Sequence, residues 1–266
     1  MNDRQVTAHT IREAFAAGSA LVRGYFWRCA GLVVVLLLLS FLGSATRFIM
    51  LKAGLPVLNV VTGFMWAAIY GILNIGLYRG LWMGLSGQSI GIGHLFWGFR
   101  LPSRWRLPLL WAVISLPLLF LPAQQAHAPV PPPPAWLWPL GPVYLVVGIV
   151  VGYAFALTAR FDVGPRDALR MAMGIFRKGK RRWLALPLLA ALAMMGAAML
   201  IVLLVVLAAV LAAPLHLGKP AIGLLGVGIA LPLMFALLMA IFPWMGGAML
   251  AASGSLADAD PAIEGS

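Results

Sequence analysis

An all-α membrane bundle is the fold class this sequence predicts: a polytopic bundle of six transmembrane helices, with short amphipathic helices at the interface. Three observations predict it. The 266 residues are 62% hydrophobic and only 10% charged, far from the globular mix. The apolar residues gather in six stretches near or above the length that crosses a hydrocarbon core of about 30 Å. The charges are segregated between those stretches, with eight of the nineteen Lys and Arg lying between Arg160 and Arg182.

Residues 1–28 form an amphipathic cytoplasmic segment in this reading. Thr10-Ile11-Arg12-Glu13 is a capping-box pattern that starts a helix. Ile11, Ala14, Phe15, Gly18, Val22 and Tyr25 recur on one face and Arg12, Ser19 and Arg23 on another. Such a helix either lies in the interface or packs on the bundle. The first span is 29–50. Gly43-Ser44-Ala45 after its apolar run is compatible with signal cleavage, but the 28 preceding residues, two of them acidic, are long and mixed for a signal n-region. Arg47 is placed to snorkel toward water. The turn Gly54-Leu55-Pro56 leads to the second span, 58–78, where Gly63, Ala67 and Gly71 at four-residue spacing allow close helix approach.

Residues 79–106 are the second basic connection. Ile92, Leu95, Phe96 and Phe99 fall at i, i+3, i+4 and i+7, the pattern of a short amphipathic helix. A re-entrant loop is the alternative for 80–99. The third span, 107–121, is short, and the prolines of 129–134 form a stiff uncharged loop, read as a spacer in preference to a docking site. Trp136 and Trp138 mark the interface before the fourth span, 140–159, which carries a second close-approach pair in Gly148 and Gly152. Pro165 then opens a helix whose apolar face is Leu169, Ala172, Met173 and Phe176. Arg166, Arg170 and Arg177 cluster within about 40° on another face. The fifth span lies in 184–213 and the sixth in 221–250, with kinks expected at Pro187, Pro232 and Pro243. Residues 251–266 read as a disordered acidic cytoplasmic tail.

With the N-terminus inside, sixteen Lys and Arg fall on inward segments and three, Arg47, Lys52 and Lys219, on outward ones. That asymmetry predicts both termini in the cytoplasm. The net charge of +12 would suggest nucleic acid in a soluble chain. Here the bases border apolar spans, so the expected partner is the phospholipid bilayer with its anionic headgroups, and not nucleic acid. The headgroup candidates are Arg100, Arg104, Arg106, Arg166, Arg170, Arg177, Lys178, Lys180, Arg181 and Arg182. The bland reading is that these charges only set topology.

Little catalytic chemistry is visible. Cys29 is the single cysteine, and His9, His94, His127 and His216 lack ligand spacing, so no metal or other cofactor is expected. All seven acids lie outside the expected spans, which argues against ion-coupled transport. No nucleotide, zinc-protease or hydrolase motif occurs, and the chain is not read as an enzyme. A passive path would have to use Asn74, Ser115 and Thr158.

The stretch Leu95-Phe96-Trp97-Gly98-Phe99-Arg100 after the second span, and the Asp167-Ala168-Leu169-Arg170 helix before the fifth, resemble those of a group of uncharacterised proteobacterial inner-membrane proteins. The resemblance implies a bacterial inner (cytoplasmic) membrane and an integral six-span bundle. It supplies no reaction and no catalytic residue. The expected function is a non-enzymatic envelope-organising or scaffold protein that engages anionic lipids and, in some form, a membrane-protein partner. The alternative is a small permease or lipid-handling transporter, which a polar cavity at Asn74, Ser115 and Thr158 would favour. A tightly packed bundle with Gly63, Ala67, Gly71, Gly148 and Gly152 buried would favour the scaffold.

Overall fold

Helix after helix, the chain folds back on itself so that its basic connections meet at one end. The computed structural model describes residues 7–100, 102–125, 137–177, 179–212 and 219–257, and among these every regular element is helical. The proline-rich loop, Lys178, the turn at 216–218 and the acidic residues after Ala257 lie outside the described residues.

The expected N-terminal amphipathic helix and the first span are one element, α1 (Ile11–Lys52), interrupted only at Tyr25 (φ −135°, ψ 24°). Its start is capped as the sequence suggests. Thr10 Oγ1 accepts from Glu13 N–H at 3.2 Å, while the Glu13 carboxylate reaches back to His9 N–H at 2.7 Å. Ala14, Gly18 and Leu21 are buried, and their cover is the last long helix, α7 (Lys219–Ala257). Phe15 stacks flat on Trp244 at 4.8 Å, and Trp244 Nε1–H donates to Ser19 Oγ at 3.0 Å. This first half of α1 therefore packs on the bundle.

Gly54, at φ +71°, closes the turn after α1, where a side chain would be strained. Helix α2 (Pro56–Leu85) overruns the expected end at residue 78 by two turns. Its second half carries Gly76, Gly80 and Gly84 on one side, and residues 92–100 lie across that side as a 3₁₀ helix. A Cβ on Gly76 would run into the Leu95 carbonyl, and one on Gly98 would sit 2.7 Å from the Ile72 carbonyl oxygen. The three-residue period redistributes the expected α-helical face. Leu95 and Gly98, three apart, turn inward and Phe96 leaves that face, while Ile92, in line with Leu95 but at the first position of the segment, stands exposed.

Helices α3 (Arg106–Gln125) and α4 (Leu137–Phe161) follow. Then α5 (Pro165–Met173) buries Ala168, Met171 and Ala172, continued by Ile175 in a 3₁₀ turn. The expected face named Leu169, Ala172, Met173 and Phe176; of these Ala172 is buried and Leu169 packs against the core, while Met173 is 59% exposed and Phe176 37%. Helix α6 (Ala185–Ala212) takes Pro187 into its first turn, and Pro232 and Pro243 lie inside α7, whose helical assignment continues through both.

Four helical stretches, Ile11–Lys52, Pro56–Leu85, Gly141–Phe161 and Pro232–Ala257, are long and apolar enough to cross a membrane. The main core lies toward the basic end. It joins Ile149–Ala159 of α4, the inner face of α5, Trp183, and Met245–Ala257 of α7. The residues 251–257 assigned to the tail are thus the last two turns of α7 and are buried. Ala, Ser and Gly there are small enough for residues 7 and 8 to close over them, with Ala8 N–H donating to Ala251 O at 3.0 Å. Farther from that end, large apolar side chains stand exposed on α1, α2, α4, α6 and α7, among them Phe41, Met65, Val143, Leu192 and Met199.

Candidate functional site

The basic end has an inner and an outer layer of cations. The inner layer is built on the end of α4, where unpaired helix carbonyls carry partial negative charge. Arg79, from α2, donates to Ala159 O at 2.9 Å. Arg160 donates to Leu250 O at 2.8 Å and to Thr7 Oγ1 at 3.0 Å, so it ties α4 to α7 and to the N-terminal arm. Its guanidinium also lies 4.4 Å from the Trp82 ring centre. Arg104, 7% exposed, donates through Nε (3.0 Å) and Nη2 (2.6 Å) to Asp162 Oδ1, and through Nη1 to Trp97 O (3.3 Å). Trp97 carries Arg104 at 3.4 Å and Arg79 at 4.8 Å from its ring centre. Each such contact stabilises by about 0.5–2 kcal/mol depending on desolvation. Asp162 takes φ +56°, a left-handed conformation that Asp and Asn tolerate better than most residues.

Of the headgroup candidates, Arg104 is therefore turned inward. Its long side chain finds an aromatic face and a carboxylate before it finds solvent. Lys180 is half-buried and its Nζ donates to Ser255 O, which caps the end of α7. Lys178 lies outside the described residues. Arg100, Arg106, Arg166, Arg170, Arg177, Arg181 and Arg182 are exposed and form the outer layer. Arg181 Nε–H donates to Phe176 O at 3.3 Å, and Arg182 lies 5.2 Å from the Trp183 ring centre. Arg166, Arg170 and Arg177, expected to cluster, do line one open groove of about 850 Å³ with Asp167, Leu169, Met173 and Gly174. Asp167 lies 3.6 Å from Arg170.

Arg79, Arg160, Asp162, Trp82 and Trp97 were not singled out from the sequence. The available signal was the pairing of two arginines, at 79 and 160, with the apolar ends of helices, where an unpaired charge would be expensive to bury.

The small residues behave unequally. Gly71 faces Pro108 and Phe155, and Gly152 has the Met249 methyl at 3.3 Å from its Cβ position. Gly148 is open apart from the tip of Trp111 at 3.9 Å. Gly63 and Ala67 line a recess of about 220 Å³ with Arg47, Trp66, Tyr70 and Trp111 near the opposite end. Arg47 there donates to Asn59 Oδ1 at 3.3 Å. Of the residues named for a passive path, Asn74 donates to Tyr70 O and Ser115 to Trp111 O, both at 2.8 Å and both within their own helices. Thr158 is buried in the core near the basic end. Among the described residues, no three His, Cys, Asp or Glu side chains stand close enough to hold a metal ion.

The fold and this end together define a helical protein with four membrane-crossing candidates and a double layer of cations at one pole. Comparison with protein-family models, with curated proteins and with solved structures finds no match to the chain.

Proposed function

We propose that this chain is a non-enzymatic, six-span scaffold protein of a bacterial inner membrane, with both termini cytoplasmic, that engages anionic lipid headgroups through its basic end. The observation that carries the reading is the exposed ring of Arg100, Arg106, Arg166, Arg170, Arg177, Arg181 and Arg182 at the pole from which the apolar helices run. Near an anionic surface each such charge contributes about 1 kcal/mol. Helices α3 and α6 supply the two further spans. The scaffold reading is favoured over a permease because the amide of Asn74 and the hydroxyl of Ser115 are engaged within their own helices, and because Gly71 and Gly152 of the five small residues sit against neighbouring side chains, although Gly148 is open and Gly63 and Ala67 line the recess at Arg47.

Native mass spectrometry of the full chain, gently extracted from its membrane, tests this. It is run beside a variant with Arg100, Arg106, Arg181 and Arg182 changed to Gln. The expected result is anionic lipid retained by the parent and depleted in the variant. Equal lipid on both would mean that the charges set orientation only.

A further inference from the structure

We infer that the groove on α5 is a binding site for a membrane lipid whose headgroup is a phosphate monoester. The inference rests on the lipid-engaging reading above and narrows it to one site and one headgroup class.

The groove walls are Arg166, Arg170 and Arg177, with Asp167 the one acid among the lining residues, so its net charge is about two positive. A phosphodiester headgroup such as phosphatidylglycerol brings one negative charge. A phosphate monoester has its second ionisation near pH 6 and brings about 1.5–2 at neutral pH, with three acceptor oxygens. Guanidinium groups match those oxygens in planar pairs, which a lysine cannot do. The side chains lining the groove also select for a lipid over a soluble phosphate. Met173, 59% exposed, and the half-buried Leu169 both line the groove. Both are apolar groups that water does not favour and that acyl chains cover. The inner face of α5 is committed to the core through Ala168, Met171 and Ala172, so the guanidiniums are held on a fixed platform.

Gly174 also lines the groove. No atom lies within 4 Å of a Cβ placed there, and its backbone (φ −57°, ψ −17°) suits any residue. Gly174→Leu therefore adds bulk at the groove lining without changing its charge or straining the backbone. This separates the groove from the general basicity of the pole.

The experiment uses the full chain in nanodiscs of phosphatidylcholine with equal mole fractions of phosphatidic acid and phosphatidylglycerol. Lipids retained on release are identified by native mass spectrometry. Four chains are compared: the parent, Gly174→Leu, the double variant Arg166→Gln/Arg177→Gln, and the double variant Arg181→Gln/Arg182→Gln. The parent is expected to hold phosphatidic acid over phosphatidylglycerol by about fivefold, the factor one additional headgroup charge carries at a surface. Gly174→Leu and Arg166→Gln/Arg177→Gln are expected to abolish that preference, and Arg181→Gln/Arg182→Gln to keep it. Equal retention of the two lipids by the parent overturns the monoester site and leaves the lipid-engaging function standing. A preference that survives both groove variants but disappears with Arg181→Gln/Arg182→Gln moves the site out of the groove and likewise overturns it. Retention of neither anionic lipid above phosphatidylcholine removes both readings. Soluble glycerol 3-phosphate displacing phosphatidic acid at equal concentration would show that the acyl chains add nothing, and the assignment to a lipid falls.

Discussion

Gly76 sets how closely the 92–100 segment can approach α2, because the Leu95 carbonyl occupies the space where a side chain would begin. Gly76→Ala is expected to destabilise the fold by about 1–3 kcal/mol, the usual range for overpacking. Gly31→Ala, where nothing lies within 4 Å, should leave stability unchanged or slightly raised. Thermal unfolding in one detergent, with both variants side by side, checks the sign of each. At Arg104 the carboxylate partner is 55% exposed and remains solvated if the arginine is lost. Arg104→Ala should therefore cost about 1.5–3 kcal/mol through its charge-assisted hydrogen bonds, less than a fully buried pair would. Asp162→Asn keeps the left-handed backbone and an accepting oxygen, but it removes the counter-charge of a guanidinium only 7% exposed, so it should cost at least as much. Thermal unfolding of the two variants in one detergent checks the order. None of this was legible from the residues alone. An arginine on an aromatic ring from another part of the chain leaves no local pattern.

Short elements were legible in kind and less so in register. The amphipathic character of α5 was plain from Arg166, Arg170 and Arg177, yet its inner face is Ala168, Met171 and Ala172. Small residues won that face because they let α5 approach α4 closely, which a hydropathy pattern does not weigh. Residues 92–100 carried an α-helical period, but the glycines of α2 admit a tighter helix laid flat, and a period of three sorts the same side chains differently. Leu95→Ala, at a fully buried position, is therefore expected to lower stability by about 2–5 kcal/mol. Ile92→Ala, at a position 53% exposed, should change it little. Denaturant titration of the two variants distinguishes this arrangement from the α-helical one, in which both would be costly.

At the scale of the molecule, long apolar stretches and segregated charge were enough to recover the helical class and the gathering of basic connections at one pole. Hydropathy averages did not reveal that α1 continues from its N-terminal arm into a span, nor that α7 extends to Ala257. Both boundaries depend on a partner distant in sequence: Trp244 for the arm, and residues 7 and 8 for the end of α7. The proposed orientation predicts a labelling pattern. In a Cys29→Ser background, Arg166→Cys should react with a membrane-impermeant maleimide only from the cytoplasmic side. Ala53→Cys, in the exposed turn after α1, should react only from the other side. Reaction of both from one face would overturn the alternating topology.

The pairing of α1 with α7 also sets a schedule for synthesis. The ribosome completes Lys52 about 200 residues before Ala257, a delay of roughly 10–40 s at about 5–20 residues per second. Throughout that interval Ala14, Gly18 and Leu21 have no Trp244 and no neighbouring turn of α7 to cover them. A nascent chain stalled anywhere before residue 244 presents the same uncovered strip. The arrival of the last helix, with Trp244 stacking on Phe15 and bonding Ser19, is what covers it.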